Sequence, residues 1–160
     1  PDATYPNGTH VAEVEVDPDT GVTTVVRYTI CDDFGVAVNP MLLAGQVHGG
    51  VAQGIGQALC EHVVYDRDTG QPVTGSLMDY AVPHADIMPC MFVTNMDENT
   101  PCKNNVLGVK GVGELGTIGA TPAVVNAVAD ALARHGKGAL SPKIQMPMTS
   151  ASIWELLQQG

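Results

Sequence analysis

The chain has 160 residues, of which 44% are hydrophobic and only 15% charged, a balance that predicts one folded domain rather than a disordered protein. Its 17 acidic and 7 basic residues give a net charge of −10, which argues against nucleic acids and anionic membrane surfaces as partners. No apolar run approaches the ~20 residues that a transmembrane helix needs, so we expect no membrane span.

Cysteine and histidine spacing argues against a metal held by the protein itself. The five histidines contain no H-x-x-x-H pair, and no C-x-x-C pair occurs among the four cysteines, Cys31, Cys60, Cys90 and Cys102. Zinc-ribbon, haem and iron–sulfur signatures are therefore absent. The first residues resemble no signal peptide, and Pro1 indicates a chain that was trimmed or begins inside a longer sequence. We expect free thiols and a cytoplasmic protein.

The chain opens with a predicted β-hairpin over residues 10–32. HVAEVEVD alternates polar and apolar residues, and the turn DPDTG leads into VTTVVRYTI. A second turn of the same kind, DRDTG at 66–70, separates EHVVY from QPVTGSL and predicts another hairpin. Each turn places a glycine where a left-handed residue helps to close a hairpin.

A helix is predicted after Pro40, because apolar residues recur every four positions at Val47, Val51, Ile55 and Leu59. Five glycines interrupt this helix, and each costs roughly 1 kcal/mol relative to alanine in a helix interior. They are Gly45, Gly49, Gly50, Gly54 and Gly56. Two interpretations are open: another backbone or a ligand approaches the helix closely, or the helix is a core element packed tightly on a sheet.

The second half of the chain begins with a predicted strand, PCMFVTNM at 89–96, and a long glycine- and asparagine-rich loop at 98–120. Thr121 as N-cap and Pro122 as the first helical residue then predict a second long helix. This helix is expected to end before Gly136.

The chain closes with a predicted short helix near SIWELLQ, which could dock through Ile153, Trp154 and Leu157. Strands in hairpins together with two long helices predict an α+β fold rather than a doubly wound sheet. We expect a hairpin-containing mixed sheet packed with the two long helices.

Glycines in the loop match a dinucleotide-binding fingerprint, Gly111-x-Gly113-x-x-Gly116. We reject this interpretation because NNVLGV, which precedes the motif, is a poor buried strand. Glu114 would also place a carboxylate beside a pyrophosphate, and Asp130 falls inside a helix rather than at the end of a second strand.

Glu114 lies among these glycines and is a candidate general base. Flanking glycines let a backbone turn tightly and approach a bulky ligand, which leaves the carboxylate projecting toward it. A solvated loop glutamate is the competing interpretation, and composition alone favours it. Gln46, beside Gly45 on the predicted helix, is open in the same way, because its amide could contact a ligand or simply face solvent.

Four blocks occur in an order that resembles the closing region of molybdenum hydroxylase large subunits, the family of xanthine dehydrogenase, aldehyde oxidase and aerobic carbon monoxide dehydrogenase. The blocks are DDFGVAVNPMLLAGQVHGGVAQGIGQALCEHVVYD, SLMDYAVPHADIMP, GVKGVGELGTIGATPAVVNAVADAL and MPMTSASIWELLQ. The resemblance covers the chain from about Gly8 to its end. Residues 1–160 are therefore expected to form the C-terminal segment of a larger molybdopterin-binding domain.

The resemblance implies an oxidoreductase that hydroxylates an aldehyde, N-heterocycle or related carbon centre with water as the oxygen source. Its cofactor would be molybdopterin with molybdenum, in the cytosine dinucleotide form, and its partners the rest of the large subunit and chains that carry iron–sulfur clusters and FAD. Glu114 of the G-V-G-E motif matches the family's catalytic base. Gln46 of the G-Q-x-x-G motif matches a residue that hydrogen-bonds near the molybdenum, and Gly111 and Gly113 match cofactor-side scaffolding.

Two other functions are open. A homologous domain kept for assembly, or a fragment that binds nothing alone, would share the four blocks without catalysis. A dinucleotide-binding domain is the least favoured.

His48 falls within the G-Q-x-x-G motif at a variable position and is expected to be a packing or surface residue.

Overall fold

The computed structural model describes residues 3–88 and 91–159. Within them lie the strands β1 (Asn7–Val16), β2 (Thr23–Asp33) and β3 (Met91–Asp97). The α-helices are α1 (Pro40–Leu59), α2 (Leu115–Arg134) and α3 (Ser150–Leu157). Two short 3-10 helices, Ala85–Ile87 and Gly138–Lys143, lie in the connections.

The three strands form one mixed sheet in the order β1-β2-β3. β1 and β2 pair antiparallel and β3 joins β2 in parallel, which confirms the first hairpin and the α+β class. Gly21 closes the hairpin turn with a left-handed φ of 73°. The second turn, around Asp66, is also present, but its flanks pair only through the isolated bridge between Tyr65 and Pro72. Pro89 and Cys90 of the predicted third strand lie outside the described residues.

The core forms where α1 and α2 pack on each other and α2 packs on β1. The predicted stripe on α1 is confirmed at Val47, Val51 and Ile55, which are fully buried, and Leu59 is partly buried. The span 115–143 is long and apolar enough to cross a membrane by length and composition. However, α2 within that span buries one face against the protein, as a core helix does, at Val124, Val128 and Leu132.

The two long helices approach each other closely through small residues. A Cβ atom on Gly54 would lie 2.5 Å from the Cβ of Ala120, and one on Gly116 would lie 2.5 Å from the Val47 carbonyl oxygen. Because real atoms do not approach so closely, only glycine fits at these two positions. Another backbone therefore approaches α1, which was one of the two open interpretations.

The prediction that the second long helix begins at Thr121 and Pro122 is wrong, because α2 begins at Leu115 and Pro122 lies inside it. Proline cannot donate a backbone hydrogen bond, so local preference places Pro122 in the first turn of a helix, where that donor is not needed. Packing overrides that preference here: the first two turns of α2 lie against α1, and the Thr121 hydroxyl donates to the Gly54 carbonyl at 3.4 Å.

The short terminal helix is present as α3, and Thr149 caps its N-terminus. Ile153 and Leu157 are buried as predicted. The prediction for Trp154 is wrong: it is 43% exposed, and the smaller Leu156 is buried instead. The helix turns Ile153, Leu156 and Leu157 to one side, since residues three and four positions apart share a face.

A buried polar cluster ties the sheet together. Nδ1 of His10 lies 2.9 Å from the Tyr28 hydroxyl, and its Nε2 lies 3.3 Å from a carboxylate oxygen of the fully buried Asp32. Burial and the nearby Asp32 raise the pKa of Tyr28, so this hydroxyl keeps its proton at neutral pH. Gly119 of α2 leaves the room that the His10 ring occupies.

Candidate functional site

Gln46 and residues 111–114 lie side by side, although they are far apart in the sequence. The Nε2 atom of Gln46 donates a hydrogen bond to the carbonyl oxygen of Gly113 at 2.9 Å. Gln46 lies on α1 next to Val47, which is buried in the core and fixes this part of the helix. The structure thus brings together the two motifs that the sequence singled out.

A short antiparallel pairing holds the chain that leads into residues 111–114. Lys110 donates its N–H to the Phe34 carbonyl at 2.8 Å, and Val36 donates its N–H to the Gly108 carbonyl at 3.0 Å. Both contacts join this loop to the segment that directly follows β2. The loop is therefore fixed to the end of a core strand before it reaches Glu114.

Asp33, the last residue of β2, collects donors around the same point. Its carboxylate accepts hydrogen bonds from Lys110 Nζ, from Thr100 Oγ1 and from the Gly35 N–H. Burial alone would raise the pKa of Asp33, but these hydrogen bonds outweigh it and lower the pKa to about 2. The Asp33 and Lys110 side chains are only 7% and 11% exposed, so they form a charged pair largely removed from water.

Glu114 is the N-cap residue of α2, and its exposed side chain does not cap the helix. Its backbone carbonyl accepts the first hydrogen bond of the helix, from the Ile118 N–H at 3.1 Å. The unpaired N–H groups of a first helical turn favour a nearby negative charge. The backbone of Glu114 is thus fixed by the helix, and its exposed carboxylate makes no capping hydrogen bond.

Bare backbone surrounds Gln46. A Cβ atom on Gly45, Gly49 or Gly113 would meet no atom within 4 Å, in contrast to Gly54 on the same helix. A ligand can therefore approach this backbone more closely than a side chain would allow. Next to Gln46 and Lys110 opens an apolar groove of about 460 Å³, whose walls include Phe34, Val36, Leu42, Leu107, Val109 and Val112.

The dinucleotide-binding interpretation finds no support in this geometry. Gly116, the third glycine of the fingerprint, faces the backbone of α1 rather than open space. The fingerprint should directly follow a strand, but Val109, two residues before Gly111, pairs with Gly35 only through an isolated bridge and belongs to no strand of the sheet. Asp130 lies within α2 and pairs with Arg134 at 2.7 Å, as its mid-helix position implied.

The supporting residues of this site were not predicted from the sequence. Asp33 and Lys110 anchor the loop, and Thr4 accepts a hydrogen bond from the Gly111 N–H at 3.2 Å. The one signal in the sequence was an acidic pair, Asp32 and Asp33, at the end of an apolar strand, where charge is unusual without a partner. His48 is exposed, and its Nε2 lies 3.1 Å from the Thr94 hydroxyl.

Comparison with known proteins decides the family. A sequence model of the molybdopterin cofactor-binding domain matches residues 1–89, more than half of the chain. The chain belongs to this family. It is 42% identical to the nicotine 6-hydroxylase large subunit of Paenarthrobacter nicotinovorans over 149 residues, which are 93% of the chain and 17% of that subunit. The predicted resemblance to molybdenum hydroxylase large subunits is thereby confirmed.

Solved structures agree with the sequence comparison. The chain superimposes on a Cu,Mo-CO dehydrogenase with a TM-score of 0.88 and 35% identity, over 99% of the chain and 19% of that structure. It superimposes on quinoline 2-oxidoreductase from Pseudomonas putida 86 with a TM-score of 0.85 and 40% identity, over 96% and 19%. The molybdopterin-binding domain described here thus spans less than a fifth of the proteins that it resembles.

Proposed function

We propose that this chain forms one wall of the active site of a molybdenum hydroxylase, with Glu114 as the base. The observation that carries the proposal is the hydrogen bond from Gln46 to the Gly113 carbonyl, because it places Glu114 beside a second polar side chain and bare backbone. Membership in the molybdopterin cofactor-binding family supplies the cofactor class. The rest of the large subunit would complete the site.

The residues present fit such a cofactor. Gln46 offers an amide, Gly113 leaves its backbone uncovered, and Gly111 lies two residues away on the same loop. Among residues 3–88 and 91–159, no three His, Cys, Asp or Glu side chains converge as metal ligands, so the metal would be held by its cofactor. We propose molybdopterin in its cytosine dinucleotide form as that group, with Gln46, Gly111 and Gly113 on its protein side.

The proposed chemistry is the hydroxylation of a carbon centre with water, RH + H₂O → ROH + 2 e⁻ + 2 H⁺. When bound, the molybdenum cofactor would supply Lewis acidity and accept two electrons, which no side chain here can do. Glu114 would accept at a carboxylate oxygen a proton that water loses, a role that requires its ionised form. Partner chains with iron–sulfur clusters and FAD would carry the electrons away.

The substrate would be an aldehyde, an N-heterocycle or a related small molecule. A cytoplasmic location suits such an enzyme, and the described cysteines, Cys31, Cys60 and Cys102, are all free thiols. The competing function is a non-catalytic assembly domain of the same fold.

Molybdenum analysis of the purified complete assembly tests the proposal, together with turnover of aldehydes and N-heterocycles in oxygen-18-labelled water. We expect stoichiometric molybdenum and labelled oxygen in the product of at least one substrate. An intact assembly without molybdenum would favour the assembly domain, and a metallated assembly that incorporates no water oxygen would contradict the reaction.

A further inference from the structure

We infer that the buried pair of Asp33 and Lys110 positions Glu114 for its reaction, an inference that rests on the proposed role of Glu114 as base. Lys110 lies four residues before Glu114 on the same loop. Its ammonium group contacts Asp33, which ends the central strand of the sheet. The two residues would therefore act through Glu114 and contact neither substrate nor cofactor.

Asp33 gathers separate parts of the chain at one carboxylate. Besides Lys110, it accepts from Thr100 in the segment after β3 and, at 3.3 Å, from the Asn7 amide at the start of β1. The Gly35 N–H fixes its other oxygen at 2.8 Å. Because its partners lie on different segments, the Asp33 carboxylate holds the loop before Gly111 at the end of the central strand more firmly than one contact could.

Further hydrogen bonds hold the loop before Lys110, and fewer hold it between Lys110 and Glu114. Asn105 holds Val109 by donating to its carbonyl at 2.9 Å and accepting its N–H at 3.1 Å. Between Lys110 and Glu114, Gly111 donates its N–H to Thr4, the Gly113 carbonyl accepts from Gln46, and the Val112 carbonyl accepts from the Leu115 N–H at 3.4 Å. Val112 packs against the core, but Lys110 is the last residue before Glu114 whose side chain forms an ion pair with a strand of the sheet.

Loss of this tie should displace Glu114, and a displacement of about 1 Å can cost roughly a hundredfold in rate. The test uses the complete metallated assembly and compares it with an uncharged pair, Asp33→Asn with Lys110→Met. Both charges are removed together because a single buried charge left unpaired is strongly destabilising. Arg134→Met, which breaks the exposed pair with Asp130, is the matched control.

We expect the uncharged pair to lower kcat about tenfold to a hundredfold at unchanged KM and molybdenum content. In an enzyme that already carries Glu114→Gln, the same pair should have almost no further effect, because its contribution passes through Glu114. Amide hydrogen exchange should accelerate over residues 109–114 in the uncharged pair and not in Arg134→Met. Lys110→Arg, which keeps the charge, should retain most of the activity.

Thr100→Val provides a second variant if the uncharged pair fails to fold. It removes one donor to Asp33, keeps both charges, and should lower kcat about two- to tenfold with the same non-additivity, as the loss of one hydrogen bond predicts. Additive losses, or unchanged exchange over 109–114, would overturn the positioning role while leaving Glu114 as the base. Unchanged turnover of the Glu114→Gln enzyme would instead overturn the proposed function and this inference with it.

Discussion

At the scale of single residues, Gln46 connects α1 to the loop that carries Glu114. Its replacement by alanine removes the hydrogen bond to Gly113, worth about 0.5–1.5 kcal/mol, and a proposed contact with the cofactor. In the complete enzyme, Gln46→Ala should lower turnover roughly tenfold to a few hundredfold with the fold intact. Steady-state kinetics at equal molybdenum content measure this.

Gln57→Ala is the control for Gln46, because Gln57 is an exposed glutamine of the same helix whose amide contacts Thr121. It should leave turnover unchanged. Equal activity of the two variants would show that Gln46 has no role in the site.

Asp33 should make the stability of the fold depend on pH in the acid range. Its pKa is lowered from 3.8 to about 2, so the ionised carboxylate stabilises the folded chain above pH 4. This contribution should be lost as the pH falls from about 4 to about 2. Asp33→Asn should unfold more easily at neutral pH and lose this part of the pH dependence, as measured by denaturant titrations of the chain at several pH values.

The exposed Asp19 of the hairpin turn provides the comparison for Asp33. Asp19→Asn should retain the acid-range dependence of the unmodified chain. If Asp33→Asn retained it equally, the ion pair with Lys110 would not contribute to stability as described.

At the scale of elements, the close approach of α1 and α2 gives two glycines of one helix opposite roles. Gly54→Ala would place a Cβ atom 2.5 Å from that of Ala120 and should destabilise the chain by about 1–3 kcal/mol. Gly49→Ala meets no atom within 4 Å and should stabilise it by up to about 1 kcal/mol through helix propensity. The free energies of unfolding of the two chains compare them directly, and equal effects would contradict the packing.

The elements that local patterns determine were predictable, and those that tertiary packing decides were not. The four-residue stripe of α1 at Val47, Val51 and Ile55 needs only its own spacing, and the turn before Gly21 only its own residues. The start of α2 depends on α1 lying against it. Local preference at Pro122 therefore placed the start of the helix too late.

The candidate site shows the same division. The G-V-G-E and G-Q-x-x-G motifs identified Glu114 and Gln46 because each is visible within a few residues. Their contact, and the pairing of Asp33 with Lys110, join positions more than sixty residues apart, and no spacing within the sequence encodes such a distance.

At the scale of the whole molecule, the apolar groove and its rim should cause the 160-residue chain to associate with itself. Leu42 in the groove is 66% exposed, and Val38, Met41 and Leu107 around it are exposed as well. Such a continuous apolar surface favours association in water. Leu42→Lys should lower the apparent mass measured by light scattering after size-exclusion chromatography.

Leu77→Lys is the matched control, because Leu77 is equally apolar, 81% exposed and outside the groove, and the change in charge is the same. It should leave the association unchanged. A monomeric unmodified chain would contradict the expectation that this apolar surface causes association.

The central claim is that Glu114 is a catalytic base, and turnover of a fully metallated Glu114→Gln enzyme tests it most directly. The substitution keeps the size of the side chain but cannot accept the proton. A general base contributes about 10²–10⁴-fold, so turnover should fall at least a hundredfold at full molybdenum occupancy.

Glu155→Gln, an exposed glutamate of α3, should leave turnover unchanged and controls for the loss of one negative charge. A solvated loop glutamate would cost less than about 0.5 kcal/mol when replaced, so its loss would hardly alter the rate. If Glu114 is the base, the loss of at least a hundredfold should be confined to Glu114→Gln. Near-normal turnover of that enzyme at full molybdenum occupancy would contradict the proposed function.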